Sequence, residues 1–278
     1  MKSPVYPCLW FDNNTREAVD FYISIFSGGK ILSSNPMVTT FELMGTEFMA
    51  LNGGPMYKMT QAVSYTVYCE SEGEIRRLFS LLSKDGEVFF QLDKYYWSPL
   101  YAWVKDKFGV SWQLDASETE RSQKIVPTLL FVNQKNARVK EALDYYNRIF
   151  PDSGTFFEAP HSPESGMPDG ALLFAQFRLK GKVFNAMSST MPHDYDFTPG
   201  NSFVVECQTQ EEIDYFWESL GKDGKYSMCG WLEDKFGVSW QIIPAELPEM
   251  LSDPEKTQRV SAAFLNMQKL DLKILRNA

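Results

Sequence analysis

The octapeptide DKFGVSWQ occupies residues 106–113 and occurs again, unchanged, at residues 234–241. Identity over eight positions is too long for chance and indicates an internal duplication. Three further segments echo one another in the same chain order: 17–26 with 141–150, 41–51 with 177–187, and 67–86 with 205–224. The two halves of the chain are therefore homologous copies of one domain.

The duplication predicts the domain boundaries. We expect a first domain at residues 3–118, a second at 124–246, and a C-terminal helical tail at 252–276. The polar stretch DASETERSQK between the two domains lacks apolar periodicity, as linkers do. In the tail, apolar residues recur at helical spacing from Val260 to Leu270 and predict a single helix.

Each copy contains two units of one strand, one helix and further strands. In the first copy, VYPCLWF predicts a strand, TREAVDFYISIF predicts a helix opened by a Thr cap, and a hairpin turns at Gly45. A second strand then leads to a helix capped by Ser71 and ending before Gly86, followed by the strands PLYAWVKD and VSWQLDA. The chain is therefore expected to hold four βαβββ units.

Composition narrows the class of protein. The 278 residues carry a formal net charge of -9, so there is no basic excess to bind nucleic acid or an anionic membrane. No apolar run approaches the roughly 18 residues that span a bilayer, and the N-terminus lacks a signal-peptide pattern. Four cysteines sit in apolar stretches without CxxC spacing, as buried free thiols do in a reducing cytosol: Cys8, Cys69, Cys207 and Cys229. We expect a cytoplasmic protein.

Three blocks of the first copy, taken together, carry a family resemblance. PCLWFDNNTREAVDFYISIF, FMALNGGP and WVKDKFGVSWQL resemble the PhnB-like branch of the glyoxalase/bleomycin-resistance (vicinal oxygen chelate) superfamily. Members of this branch often bear the label 3-demethylubiquinone-9 3-methyltransferase. The resemblance covers nearly the whole chain twice, without the tail. It implies an α+β fold in which two βαβββ modules per domain form a cup, with helices outside and ligand inside. Because single domains of this kind pair, it also implies a fused pair or a homodimer.

Metal-dependent members of the superfamily resemble one another in four His or Glu ligands, one from each of four strands. The matching positions in the two copies hold no His, Asp or Glu: Pro7 or Cys8 and Pro127 or Thr128, 48–50 and 184–186, Ser64 and Ser202, Gln113 and Gln241. Neutral Ser and Gln do not hold a divalent ion alone. We therefore expect neither a metal nor a cofactor in either cup.

The repeated octapeptide predicts a turn followed by a strand. Strand alternation places Ser111 and Gln113 on one face and Trp112 on the other. We expect the glutamine to point into the cup, where its amide can hold a carbonyl or amide of a ligand, and the tryptophan to pack under a helix. The alternative is that the glutamines only bridge strands in a closed core. The candidate ligand-binding residues are Gln113, Gln241, Ser64, Ser202, Ser111, Ser239, Asn52 and Trp10.

Other features of the sequence carry weaker signals. The chain has two histidines, His161 and His193, both in loops of the second copy. His193 lies beside Asp194 and Asp196, which suggests a metal site, but we expect this loop cluster to be solvated. We expect His161 to be a flexible loop residue. No Gly-rich GxGxxG turn supports methyl transfer from a nucleotide-like cofactor. The aromatic segment 89–103 favours a pocket wall or an interface that reaches across the duplication. Core packing within one domain is the alternative for that segment.

Three functions stay open from the sequence. The first is a metal-free protein that binds a small apolar or aromatic molecule in one or both cups. The second is an enzyme of the superfamily, either a metal-dependent lyase or dioxygenase or the methyltransferase of the family label. The third is a structural or partner-binding module with filled cups.

Overall fold

The computed structural model describes residues 5–116, 122–253 and 255–278. The outer ends of the predicted first domain, the middle of the predicted linker and one residue of the tail lie outside the described residues. The domain boundaries drawn from the duplication therefore stay a prediction.

The strands of the described chain are β1 (Val5–Phe11), β2 (Lys30–Ser34), β3 (Val38–Leu43), β4 (Thr46–Asn52), β5 (Val63–Tyr68), β6 (Glu87–Tyr95), β7 (Ser98–Lys105), β8 (Ser111–Asp115), β9 (Ile125–Phe131), β10 (Gly154–Pro160), β11 (Leu172–Leu179), β12 (Lys182–Ser188), β13 (Asn201–Cys207), β14 (Lys225–Tyr226), β15 (Trp231–Glu233) and β16 (Ser239–Pro244). The α-helices are α1 (Thr15–Ile25), α2 (Glu72–Leu82), α3 (Val139–Ile149), α4 (Gln210–Gly221), α5 (Leu247–Ser252), α6 (Thr257–Leu265) and α7 (Leu272–Asn277). Two short 3-10 helices cover Asn133–Arg138 and Pro163–Ser165.

The predicted βαβββ units are present four times. One strand, one α-helix and three strands recur as β1-α1-β2-β3-β4, β5-α2-β6-β7-β8, β9-α3-β10-β11-β12 and β13-α4-β14-β15-β16. Local signals explain the boundaries, since the Ser71 side chain accepts a hydrogen bond from the backbone of Glu74 at the start of α2. The hairpin between β3 and β4 turns at Gly45, whose φ of 78° favours glycine. None of the described helices is long and apolar enough to cross a membrane.

The chain divides into two compact units. The larger unit is Leu9–Asn201, and the smaller one is Ser202–Ala278 together with the N-terminal residues up to Cys8. The larger unit contains a complete eight-stranded sheet in the order β10-β11-β12-β9-β5-β8-β7-β6, which we call the second sheet. It is mixed, because β5 runs parallel to β8 and antiparallel to β9. The other eight strands follow the order β14-β15-β16-β13-β1 in the smaller unit and β1-β4-β3-β2 in the larger one. The predicted α+β class with eight-stranded mixed sheets is confirmed.

The second sheet takes strands β5–β8 from the first sequence copy and β9–β12 from the second. The expectation that each copy builds its own eight-stranded cup is therefore wrong. The physical reason is that an exposed strand edge must be paired or covered. Homologous modules present equivalent strand edges. The edge of β5 can therefore be paired by β9, the first strand of the second copy, as well as by β1, the first strand of its own copy.

The first copy is held together on the helix side of its strands. Trp112 on β8 is fully buried, and its ring centroid lies 5.5 Å from Tyr22 on α1 and 5.5 Å from Tyr65 on β5. Phe48 on β4 contacts Tyr65 edge-on at 5.2 Å. Burying such large aromatic rings is a dominant contribution to the stability of a core. The two modules of the first copy therefore share this core on the helix side of their strands. Strands β5–β8 also form one sheet with strands β9–β12 of the other copy.

The tail contains the three short helices α5, α6 and α7, so the expectation of one helix is wrong. Met267 and Leu270 lie between α6 and α7. Their carbonyl groups accept hydrogen bonds from the backbone of Cys229 (2.6 Å) and the side chain of Gln210 (3.1 Å). Leu272 N donates to Gln210 Oε1 at 2.8 Å. A continuous helix would keep these carbonyl groups inside its own hydrogen-bond ladder, so the chain leaves the helix where α4 and the β14–β15 loop offer other donors.

The described cysteines form no disulfide. Cys8, Cys69 and Cys207 are buried, as expected, whereas Cys229 is half-buried.

Candidate ligand-binding face

The first half of the octapeptide is organised by a buried carboxylate. Asp106 Oδ1 accepts hydrogen bonds from the backbone of Phe108 (2.9 Å) and Val110 (3.0 Å). Its Oδ2 accepts from Trp112 Nε1 (2.8 Å) and from the Tyr22 hydroxyl (2.7 Å). Burial raises the pKa of Asp106, and these four hydrogen bonds act in the opposite direction. Asp106 thus holds the turn and fixes Trp112 under α1.

The second copy repeats this arrangement. Asp234 Oδ1 accepts from the backbone N–H groups two and four residues on (2.8 and 3.1 Å), and Oδ2 accepts from Trp240 Nε1 at 2.9 Å. The glycine of each turn has positive φ, 91° at Gly109 and 87° at Gly237. Sequence reasoning found the glycine and the tryptophan but missed the aspartate. The signal was present, because Asp, Gly and Trp recur at spacings of three residues in both copies.

In the first copy, the second half of the octapeptide places its polar residues on the face of the second sheet that lies opposite the helices. We call this the inner face; it carries Ser64, Ser111, Gln113, Thr128 and Asn185. Gln113 is 4% exposed, and its Nε2 donates to Ser64 Oγ at 2.8 Å. Its Oε1 accepts from the Tyr101 hydroxyl at 2.8 Å. Gln113 thus lies opposite Trp112, as the alternation predicts, and its amide is paired with protein groups.

The neighbouring polar groups of the inner face also pair with one another. Thr66 and Thr128 share a hydroxyl–hydroxyl bond of 2.7 Å, and Asn185 Nδ2 donates to Thr128 Oγ1 at 3.1 Å. Gln176 Nε2 donates to Asn185 Oδ1 at 3.0 Å and lies 3.4 Å from the Tyr68 hydroxyl. These groups are all neutral and buried, so the centre of the inner face is a satisfied polar network.

Four positions that the resemblance matches to metal ligands lie on this face, but they come from both copies. Ser64 and Gln113 belong to the first copy, whereas Thr128 and Asn185 belong to the second; Ser64 and Asn185 are both in register with Thr128. In the described ranges, no three His, Cys, Asp or Glu side chains come close enough to hold a metal ion. These four groups are neutral and bonded in two pairs, Ser64 with Gln113 and Thr128 with Asn185. They do not fit a divalent cation, which needs charged or imidazole ligands.

One end of the inner face is aromatic. Trp103 Nε1 donates to Ser111 Oγ at 2.7 Å. Buried Tyr101 and Trp103 of β7 pack with two buried residues of the second copy, Leu130 and Val132. Four partly buried residues complete this aromatic cluster: Phe89, Tyr95, Met187 and Tyr195. The aromatic segment therefore reaches across the duplication, and packing within one domain alone is wrong.

The smaller unit carries the matching residues of the second octapeptide in a different setting. Gln241 Nε2 donates to Ser202 Oγ at 3.0 Å. Burial raises the pKa of the Cys8 thiol to about 12, against hydrogen bonds with Gln241 and Ser202 that lower it. Ser239 Oγ is buried and has no hydrogen-bond partner among the described residues. Cys8 is thus a protonated thiol at neutral pH, in the place that Thr128 takes in the larger unit.

Asn52 and Trp10 bond to groups around the start of α1 and the end of β4. Asn52 Oδ1 accepts from the backbone N–H (3.3 Å) and the hydroxyl of Thr15. Asn52 therefore caps α1; the predicted Thr cap is wrong, because Thr15 is already the first helical residue and the N-cap position is Asn14. Trp10 Nε1 donates to the backbone carbonyl of Gly54 at 2.7 Å.

The two histidines are half-buried, and each bonds to one of two consecutive serines, Ser188 at the end of β12 and Ser189 just after it. His193 is therefore less solvated than the sequence suggested. His161 Nε2 bonds Ser188 Oγ, and His193 Nε2 lies 2.8 Å from Ser189 Oγ. Burial lowers the pKa of His161. The His193 ring packs on Tyr195 of the aromatic cluster, with centroids 4.8 Å apart.

The four βαβββ modules define a protein with a glyoxalase-like fold. Glyoxalase I from Zea mays has a similar fold, with a TM-score of 0.57 over 90% of this chain and 97% of that chain, at 9% sequence identity. At that identity the likeness shows the fold alone.

Residues 3–115 and 123–243 each match the model of the family described as 3-demethylubiquinone-9 3-methyltransferase, and the chain belongs to that family in two tandem copies. Protein YjdN of Escherichia coli (strain K12) is 30% identical over 125 residues, which are 37% of this chain and 84% of YjdN. A PhnB protein of known structure from Bacillus cereus is 35% identical and matches 40% of this chain and 96% of its own, with a TM-score of 0.38.

Proposed function

We propose that the protein binds a small apolar or aromatic molecule, without a metal, at the aromatic cluster on the inner face of the second sheet. The observation that carries this proposal is the contrast along that face. The positions matched to metal ligands hold neutral groups bonded in pairs. The adjacent end combines the buried rings of Tyr101 and Trp103 with three rings that are only partly buried, Phe89, Tyr95 and Tyr195.

Partly buried aromatic groups beside a few fixed polar groups are the usual lining of a small-molecule site. Phe90 stacks on Trp103 with centroids 6.0 Å apart and rings inclined by 15°, and Phe89 meets Trp103 edge-on at 5.8 Å. These contacts hold Trp103 in one orientation. A ligand then meets a pre-formed surface, which reduces the entropy lost on binding.

A titration with naphthalene, followed by tryptophan fluorescence, tests the proposal. We expect saturable binding that Trp103→Leu weakens about fivefold or more, since it removes the buried ring on which Phe89 and Phe90 pack. Trp231→Leu is the matched control, because Trp231 pairs with Gln241 as Trp103 pairs with Gln113. Equal loss in both variants, or no saturation in the unmodified protein, contradicts the proposal.

Elemental analysis of the purified protein tests the metal-free part. We expect no stoichiometric Zn, Ni, Mn or Fe. A stoichiometric metal would instead favour the superfamily enzyme of lyase or dioxygenase type.

A filled, structural module is the second candidate, and the complete pairing of the Gln113 amide favours it. This candidate predicts that no apolar probe perturbs the aromatic cluster. Homodimer formation and a cytoplasmic location stay predictions of the sequence, which light scattering and cell fractionation can check.

A further inference from the structure

Most polar atoms of the aromatic cluster are already engaged. Trp103 Nε1 is bonded to Ser111 and the Tyr101 hydroxyl to Gln113. The Tyr95 hydroxyl donates to a backbone carbonyl on its own strand at 3.0 Å. A polar group of a ligand therefore finds no free partner among these residues.

Tyr195 differs from the other rings of the cluster. It is partly buried against the cluster, yet its phenolic oxygen makes no hydrogen bond to any residue that the structure describes. Burial, with a smaller contribution from Asp194, raises the pKa of Tyr195 to about 12. The hydroxyl is thus neutral at physiological pH and can both donate and accept.

The ring of His193 lies beside this hydroxyl-bearing ring and also has a free nitrogen. Its Nε2 is bonded to Ser189 Oγ, which in turn accepts from the backbone N–H of Met191 at 3.2 Å. Across the described chain, Nδ1 of His193 has no hydrogen-bond partner. Depending on the tautomer, Nδ1 donates or accepts, so it also complements a group that can do both.

The loop that carries both residues is held in place from the other side. Asn133 Oδ1 accepts from the backbone N–H of His193 at 3.0 Å, and Asn133 Nδ2 donates to the His193 carbonyl at 3.0 Å. Asn136 Nδ2 donates to the carbonyl of Ser189 at 3.2 Å. These three bonds fix the loop backbone before any ligand arrives, which is the condition for selective recognition.

The local charge disfavours an anion. Asp194 lies between His193 and Tyr195 in the chain, and the nearby cation Lys135 is paired with Asp196 at 2.7 Å. A carboxylate or sulfonate ligand would meet a carboxylate without a compensating charge, whereas a neutral hydroxyl would not.

We propose that the molecule bound at the aromatic cluster is an aromatic compound bearing a neutral hydroxyl group, of the phenol or aryl-alcohol class, whose hydroxyl bonds to His193 Nδ1 and the Tyr195 hydroxyl. This inference rests on the proposed function and assigns the chemistry of its ligand.

Three probes that share one ring system test the inference at pH 7: naphthalene, 2-naphthol and 2-naphthoate. One or two net hydrogen bonds should make 2-naphthol bind about 3- to 100-fold more tightly than naphthalene. We expect 2-naphthoate to bind more weakly than 2-naphthol. Tyr195→Phe and His193→Phe should each reduce the advantage of 2-naphthol over naphthalene, while His161→Phe, the matched histidine control, should leave it unchanged.

The three-probe comparison on the unmodified protein does not depend on whether a variant folds. Equal affinity for naphthalene and 2-naphthol overturns the hydroxyl inference and leaves the proposed function standing. Tightest binding of 2-naphthoate also overturns it, in favour of an anion site. Failure of all three probes to bind overturns the proposed function itself.

Discussion

The two copies of DKFGVSWQ share one half of their surroundings and differ in the other. On the helix side, Asp106 and Asp234 make the same turn bonds, and each holds the tryptophan six residues on, Trp112 or Trp240. On the inner side, Ser111 accepts from Trp103, whereas Ser239 Oγ has no partner among the described residues. Eight identical residues therefore sit in two different chemical environments.

This difference shows which half of the octapeptide explains the repeat. The turn and the buried tryptophan need Asp, Gly and Trp at fixed spacing, and both copies satisfy that need within the octapeptide itself. The partners of the two glutamines lie elsewhere in the sequence: Gln113 bonds to Tyr101, and Gln241 bonds to the Cys8 thiol. Residues outside the repeat thus decide what the inner side can bind.

The largest expected effect is on the shared half. Trp112→Ala should lower the free energy of unfolding by about 3–5 kcal/mol, because it removes a fully buried ring from the core. Trp240→Ala should cost about the same. Trp97→Ala, at a half-exposed ring, is the control and should cost much less. Urea denaturation measures all three, and a tolerant Trp112→Ala would contradict this account of the core.

Replacing the buried carboxylate should cause the next largest loss in the free energy of unfolding. Asp106→Asn exchanges one acceptor oxygen for an N–H₂ group that faces the Trp112 and Tyr22 donors. We expect a loss of about 2–4 kcal/mol, since buried donors lose their acceptor. Asp234→Asn should cost a similar amount in the second copy. If only one of the two variants is destabilised, the helix-side halves are not equivalent.

Replacing the glutamines should affect the stability of the two copies differently. Gln113→Leu deprives Ser64 and the Tyr101 hydroxyl of a partner, so we expect a cost of about 1–3 kcal/mol. From the sequence, an inward-facing Gln113 that served only water or ligand would be replaceable at little cost. Gln241→Leu should cost less, because the partners of its side chain among the described residues are Ser202 and the Cys8 thiol, and a thiol makes only weak hydrogen bonds. Equal thermal shifts for the two variants would contradict the proposed asymmetry.

The serines give the smallest effect and the sharpest contrast. Ser111→Ala leaves Trp103 Nε1 without an acceptor and should cost about 1 kcal/mol. Ser239→Ala removes a buried hydroxyl that has no described partner and should be neutral or slightly stabilising. A loss as large as that of Ser111→Ala would show that Ser239 holds a water molecule or a ligand. Calorimetry of the two variants side by side makes the comparison.

Much of the local structure could be predicted from the sequence, because its causes lie within a few residues. The Ser71 cap, the turn glycines and the strand alternation that opposes Gln113 to Trp112 act over spacings of one to four positions. The sequence also placed Ser64 near the start of a strand, where the structure has β5. Their convergence with residues of the other copy was not predicted, since it depends on a partner strand far along the chain.

The sequence by itself determined the four βαβββ units, their order and the duplication that relates them. Only the tertiary structure decided that β5 pairs with β9, that Tyr22 completes the bonds of Asp106, and that the histidines pair with Ser188 and Ser189. The reason is that hydrophobic periodicity and capping are encoded locally, whereas homologous strands offer the same pairing edge to more than one partner. Which partner a strand takes depends on how the whole chain buries its rings and satisfies its polar groups, and no local pattern records that choice.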